Sequence, residues 1–408
     1  MLFVATSINY MDRQVLSILK PFLEGGTLHL QPFFHGWPTV ERSINLNEVQ
    51  YGYIVWAFQI AYALGVIFAG RFIDKVGCRA GYPIVTGVWS ISAMCHALVT
   101  SVFGFGVARF FLGLGESGNF PAAIKATAEW FPPRERSLAT GIFNSGAGVG
   151  AILAPFLVPW VALHFGRRAS FLITGTFSAA WIVWWSVHYR KPKTPTDAFS
   201  STSPNHASLP WTRLLRYRQT WGFALGKFLT DPVWWFYLFW IPRYLQGPPL
   251  NLTLTSSSGP VVAIYVVSCV GSVAGGWLSS FMIKRGRSVN ASRKTAMLIC
   301  ALCVLPVALV PQATNVWMVV ALVGLAAAAH QGWSANLFTL PSDMFPKSAV
   351  GSVVGFGGMV GSIGGVLLQL LAGKVGYVVL YAIAGSAYVT ALLIVHLLTP
   401  RLAPAKLS

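Results

Sequence analysis

The sequence predicts an all-α membrane protein whose twelve spanning helices form two pseudo-symmetric six-helix halves. Apolar stretches of about 20 residues, each long enough to cross a hydrocarbon core, recur along the whole chain. The composition is 55% hydrophobic and 10% charged, with a mean hydropathy of +0.61. The alternating ~10-residue segments of a membrane barrel are absent, so helices remain as the element that satisfies its own backbone in lipid.

The spans fall near 1–20, 49–70, 81–100, 101–124, 137–163 and 168–188, then near 219–246, 259–283, 295–312, 315–340, 349–373 and 375–398. The first begins without a cationic leader, so a cleaved signal peptide is not expected and a further N-terminal segment is. Residues 21–48, with Gly25, Gly26, Pro32, His35 and Pro38, read as an outer loop of poor structural definition. The most polar stretch, 191–218, holds Pro192, Pro195, Pro204, Pro210 and a Ser/Thr cluster and reads as a linker. The domains are therefore an N-terminal half (1–190), a cytoplasmic linker (191–218) and a C-terminal half (219–408).

The halves echo each other. Gly70-Arg71-Phe72-Ile73-Asp74 faces Gly276-Trp277-Leu278-Ser279-Ser280 at an offset of 206, and Phe131-Pro132, Gly141 and Gly150 face Phe345-Pro346, Gly355 and Gly364 at 214. Repeats of this kind build transporters with a site at their interface. At the second offset Glu116 falls opposite His330 and Arg109 opposite Val323, so charge chemistry is expected mainly in the first half.

The net charge of +18 is a matter of topology. Of the 29 basic residues, Lys20, Arg42, Arg167, Arg168, Arg243 and Lys374 fall on one set of loops, and Arg13, Arg109 and Lys227 inside spans. All the others fall on the opposite loops or the tail. This bias places both termini in the cytoplasm. The bilayer, not nucleic acid, is the expected macroscopic partner. Cys300 and Cys303 form a C-x-x-C inside an apolar helix with no second ligand pair, and read as packing thiols. No phosphate-binding Gly-Lys loop and no His/Cys cluster occurs, so neither nucleotide, metal nor cofactor is expected.

Asp12 and Arg13 lie in the first span, and Arg109 and Glu116 in the fourth. A charge at membrane depth costs several kcal/mol unless paired, hydrated or used, and marks pathways and proton relays. Arg109 and Glu116 share a helix face about 10 Å apart, too far to pair directly. Asp12 is the expected partner of Arg109. Arg13 then remains for a carboxylate, which its planar fork binds bidentately. Burial disfavours an ionised acid and a nearby Arg favours it, so an arriving anion that competes for the Arg would promote protonation of Asp12 or Glu116. Asn144, and Gln331, Ser334 and Asn336 in the tenth span, supply polar groups for hydroxyls. His330 reads as a satisfied core histidine. Lys227 and Asp231 can pair at i,i+4, Pro232 invites a kink, and Trp234 and Trp235 form a gate, a stacking platform or an interfacial belt. Gly70, Asp74, Gly77 and Arg79 mark a tight turn in which Asp74 would receive a helix N-terminus and neighbouring Arg groups.

The stretch Gly70-Arg71-Phe72-Ile73-Asp74-Lys75-Val76-Gly77-Cys78-Arg79 resembles the loop signature of the major facilitator superfamily. Asn9-Tyr10-Met11-Asp12-Arg13-Gln14 and the run Arg109 to Pro121 resemble its anion:cation symporter family. The runs Phe120 to Lys125, Gly226 to Phe236 and His330 to Phe338 are similar to bacterial hexuronate transporters. The likeness covers nearly the whole chain and departs at 21–48 and 247–258. It implies the major facilitator fold in a bacterial inner membrane, Asp12 and Glu116 as proton carriers, and Tyr10, Arg13, Tyr62 and Arg109 around the substrate anion. The implied function is proton-coupled import, by a monomer, of a small carboxylate such as galacturonate or glucuronate. Other organic anions (aldonates, aldarates, aromatic acids) are the alternative. A rival of another class is an intramembrane serine protease, in which Ser117 of Gly115-Glu116-Ser117-Gly118 would be the nucleophile and His330 the base.

Overall fold

The computed structural model describes residues 1–24, 27–29, 40–42, 44–190, 211–372 and 374–405. Among these, the helices form twelve columns. The first half comprises α1 (Leu2–Glu24), α2 (Glu48–Val76), α3 (Cys78–Cys95), α4 (Val102–Glu116) continued by α5 (Asn119–Trp130), α6 (Pro133–Phe165) and α7 (Arg167–His188). A short α8 (Trp211–Leu214) leads into the second half. There α9 (Arg218–Gln246), α10 (Leu254–Lys284), α11 (Val289–Val304) with a 3-10 extension Leu305–Gln312, α12 (Val316–Leu337) with α13 (Leu340–Met344), α14 (Val350–Ala372) and α15 (Tyr377–Leu398) complete the set. Eight helical segments pass as membrane spans on length and composition alone. The first column carries Asp12 and Arg13, and the fourth is broken after Glu116. Large apolar side chains such as Phe68, Leu98 and Phe103 stay exposed on the outer faces, as lipid contact requires.

One expectation changes. Among the described residues of 21–48, α1 runs to Glu24 and an antiparallel pair, β1 (Thr27–His29) and β2 (Val40–Arg42), follows. Pro232 and Pro242 both lie inside α9, which continues through them. Most of the linker, 191–210, lies outside the described residues.

Within each half, α1 packs on α6 and α2 on α4, and α10 packs on α12 and α14 on α9. Between the halves, α6 packs on α10 and α2 on α14. The sequence repeat is visible in these two contacts. A Cβ on Gly70 would lie 2.1 Å from the Gly351 carbonyl oxygen, and one on Gly276 would lie 2.3 Å from that of Ser137. A Cβ on Gly355 would lie 2.4 Å from the Val66 carbonyl oxygen and one on Gly141 2.3 Å from that of Ser272. Each pair maps onto the other at the offsets of 206 and 214. Backbones so close admit only a residue without a side chain.

Glu116 is held in the same way. A Cβ on Gly113 would lie 2.5 Å from the Phe58 carbonyl of α2, and one on Gly115 2.4 Å from the Trp89 nitrogen of α3. The glycine run thus wedges α4 between two helices and fixes the depth of its last residue, Glu116, before the break at Ser117 and Gly118.

Candidate functional site

Between the halves lies a cavity of about 80 Å³, on a scale where one water needs ~10–15 Å³. Tyr10, Arg13, Tyr62, Phe120 and Asn144 line it from the first half. Lys227, Asp231, Trp234, Trp235, His330, Gln331, Ser334, Phe338 and Ser362 line it from the second.

Arg13 is its focal cation. The guanidinium sits in an aromatic box, 4.9 Å from the Tyr10 ring centroid, 4.8 Å from Tyr62 and 5.2 Å from Phe58. Such faces attract a cation most where water is excluded. Its Nη2 lies 2.9 Å, and its Nε 3.0 Å, from one oxygen of Glu116. Glu116 is fully buried while the Arg13 side chain is 22% exposed. The expected pairing is therefore corrected: Glu116 holds Arg13, and Asp12 does not bridge Arg109. Arg109 instead donates from both terminal nitrogens to the Arg13 carbonyl at 3.2 Å and lies 5.6 Å from the Phe58 centroid. Seven residues of helical rise bring Arg109 level with the backbone of α1 and Glu116 level with the Arg13 head group. The tilt and contact of two helices decide this, and no single-helix spacing contains it.

Asp12 faces away from the cavity, toward α7, and accepts from Ser178 Oγ at 3.0 Å. Three of the four charged groups keep one buried polar atom without a hydrogen bond: Asp12 Oδ1, Arg109 Nε and Glu116 Oε1. A buried polar atom without a partner is costly, and a cluster of them on charged groups is a site prepared for protons or polar ligands.

The amide expectations divide. Asn144 donates to Gln331 Oε1 at 2.6 Å and Ser272 Oγ at 3.2 Å, which ties the two halves across the cavity. Ser334 lies on the cavity wall with Gln331. Asn336 does not line the cavity. It is fully buried, donates to the Gly275 and Gly332 carbonyls at 2.9 Å, and accepts from Ser137 Oγ at 2.8 Å. Its position two residues past Ser334 turns it to the α10 side of α12. It is a packing residue at the helix crossing, with its amide committed to protein partners.

Lys227 and Asp231 form the expected pair at 2.8 Å, but on the cavity wall. The second half thus contributes its own charges, contrary to the repeat-based expectation. Trp234 and Trp235 also face the cavity, which removes the belt alternative. Trp234 stacks on His330 with centroids 5.2 Å apart and 8° between planes, and His330 Nδ1 shares a 2.5 Å hydrogen bond with the Tyr388 hydroxyl. Ser117 donates to the Leu114 carbonyl within its own helix at 2.6 Å, so no Ser117–His330 dyad exists.

At the end of the molecule bearing the basic loops, two latches join the halves. Asp74 accepts from the amides of Gly351 (3.0 Å) and Ser352 (2.6 Å) at the N-terminus of α14 and from Lys125 Nζ (3.0 Å). A helix N-terminus was the expected partner. The cation is Lys125 from α5, and Arg79 is exposed. Gly77, at φ +84°, makes the turn that the motif requires. The repeat supplies a mirror: the Leu138 amide donates to Ser280 Oγ at 3.2 Å, one offset away from Ser352 and Asp74.

The second latch was not legible as such. Asp343 takes Arg136 of the first half on one oxygen (3.4 Å) and Arg293 of the second on the other (3.1 Å), with all three side chains buried. Arg136 also donates to the Ser342 carbonyl at 2.7 Å, and Arg293 to the Pro133 carbonyl at 2.6 Å. By sequence position alone both Arg fall among the loop charges. The available signal was the repeat itself, since Glu129 and Asp343 each stand two residues before a Phe-Pro pair.

Comparison with known proteins agrees with this architecture. Residues 2–369 match the family model described as Major Facilitator Superfamily. The chain is similar to the hexuronate transporter of Escherichia coli K12, at 30% identity over 85% of this chain and 84% of that one. It is also similar to the galacturonate transporter of Dickeya chrysanthemi, at 34% identity over 51% of this chain and 64% of the relative. The crystal structure of the E. coli fucose:proton symporter FucP (N162A) superposes with a TM-score of 0.72 over 98% of both chains, at 15% identity.

Proposed function

The chain belongs to the major facilitator superfamily of membrane transporters, and on that premise we propose that it is a proton-coupled importer of a hexuronate such as galacturonate or glucuronate. The observation that carries this reading is Arg13: a guanidinium boxed by aromatic rings, on the wall of an inter-half cavity, whose carboxylate partner among the described residues is a buried glutamate.

The charges explain the coupling. Mid-span, Asp12, Glu116 and Asp231 offset Arg13, Arg109 and Lys227, so the unloaded site is neutral. An arriving sugar carboxylate takes the Arg13 fork. Glu116 would then remain as a fully buried charge without its cation, a state that costs several kcal/mol. One proton on Glu116 restores neutrality. A monoanion and a proton thus enter together, and neither alone is stable in the cavity. Asp12, one residue from Arg13 and bonded to Ser178, offers a neighbouring acceptor through which the proton enters or leaves. The other polar groups of the cavity, Tyr10, Tyr62, Asn144, Gln331 and Ser334, suit hydroxyls, and Trp235 suits a sugar face.

Direction follows from the latches. With the basic loops in the cytoplasm by the positive-inside rule, Asp74 and Asp343 close the inner end. Rocking of the halves about the cavity would break both latches and release substrate inward. The protein would act as a monomer in a bacterial cytoplasmic membrane.

The test is Glu116→Gln in proteoliposomes. Counterflow of labelled galacturonate should persist, because exchange needs no net proton movement, and accumulation driven by an imposed pH gradient should vanish. Undiminished uphill uptake in that variant overturns the proposal.

A further inference from the structure

The reading above places the substrate carboxylate at Arg13 and leaves the Lys227–Asp231 pair on the opposite wall without a task. Its geometry is asymmetric. Lys227 Nζ lies 2.8 Å from Asp231 Oδ2 and 4.1 Å from the centroid of Phe338, and its side chain is 6% exposed against 23% for Asp231. The Oδ2 side is also closed by α14, where a Cβ on Gly361 would lie 2.3 Å from that oxygen. Asp231 lines the cavity, and Oδ1 is the oxygen that the ammonium leaves for a ligand. Trp235, packed on Gly365 of α14, stands one helical turn along the same wall.

Building on the sugar-acid reading, we infer that Asp231 is a specificity-determining acceptor that binds the hydroxyls at the far end of the substrate and rejects a second carboxylate there. An ionised carboxylate accepts hydrogen bonds and donates none. Sugar hydroxyls therefore satisfy it, with the added strength of charge-assisted bonds. A dianionic aldarate, held at Arg13 by one end, would bring its other carboxylate against Asp231 with no donor between them. Lys227 is already paired with Asp231 and seated over the Phe338 ring, so its charge is committed. The site thus combines attraction for a hydroxyl-rich monoanion with a built-in repulsion of its doubly oxidised analogue.

The experiment is counterflow of labelled galacturonate in proteoliposomes, competed by unlabelled galacturonate or galactarate. It is run on the wild type, Asp231→Asn, and the double variant Asp231→Asn with Lys227→Met, which leaves no lone buried charge. The wild type should discriminate against galactarate by about 100-fold, and both variants should narrow that ratio by at least ~10-fold, through weaker galacturonate binding and tighter galactarate binding together. An unchanged ratio in the folded double variant, or a wild type that prefers galactarate, overturns the inference while leaving the sugar-acid reading in place. A wild type without galacturonate counterflow removes the parent reading and this inference together.

Discussion

Adding one methyl group at Gly70 should shift the balance between the two access states. A Cβ there would stand 2.1 Å from the Gly351 carbonyl oxygen and 2.8 Å from its carbon. Ordinary contact needs more than 3 Å, so α2 and α14 must part by about 1 Å at the latch, and overpacking of this kind costs ~1–3 kcal/mol. The clash exists only while the halves touch at this end, so the cost falls on the latched state. By population-shift arithmetic the equilibrium should move about 5- to 150-fold toward the state open at the basic-loop end. The assay is the thiol-labelling rate of Ser352→Cys, a 1% exposed latch residue, in a background lacking Cys78, Cys95, Cys269, Cys300 and Cys303. Gly70→Ala should raise that rate by a comparable factor, and the repeat requires the same of Gly276→Ala, whose Cβ meets Ser137 at 2.3 Å. Equal labelling with and without the methyl would refute the argument that these contacts exist in one state only.

Three other outcomes follow from the site and its latches. Asp343→Ala leaves Arg136 and Arg293 buried without their acid and should lower unfolding stability by about 3–5 kcal/mol, read as a drop in the thermal midpoint of the detergent-solubilised protein; Asp343→Asn should be milder. Arg13→Lys keeps the charge but loses the planar fork and its stacking on Tyr10 and Tyr62, so KM for uptake should rise at least ~10-fold, while Arg13→Ala and Arg109→Ala should nearly eliminate uptake. Asn336→Ala removes three hydrogen bonds at a helix crossing and should cost ~1–3 kcal/mol of stability with substrate affinity unchanged, whereas Gln331→Ala should weaken substrate binding with little loss of stability.

The legible part of the site has a common character. The Lys227–Asp231 pair was legible because i,i+4 contact is a property of one helix. Asp74 at a helix N-terminus was legible because the turn and the acid lie within one short motif. Asn336 was misplaced because a face shared within α12 does not say which neighbour that face meets. Arg109 does not meet Asp12, and Glu116 meets Arg13, because the pairing depends on how far α1 slides along α4, and the glycines Gly113 and Gly115 fix the depth of α4 through contacts with α2 and α3. The Arg136–Asp343–Arg293 latch draws its members from three helices in two halves, and local sequence carries no record of such a meeting.

By itself the sequence determined the class of the molecule: the number and place of the spans, the duplication of a six-helix unit, the basic-loop bias, and the fact that a few charges lie at membrane depth. These are properties of hydrophobicity, periodicity and composition, and they survive any rearrangement of helices relative to one another. Only the tertiary structure decided which charge meets which, which polar groups share the cavity, and that the two halves are latched at one end. Those outcomes turn on contacts of 2–4 Å between helices distant in the chain, and distances that short are fixed by packing, not by the order of residues along any one segment.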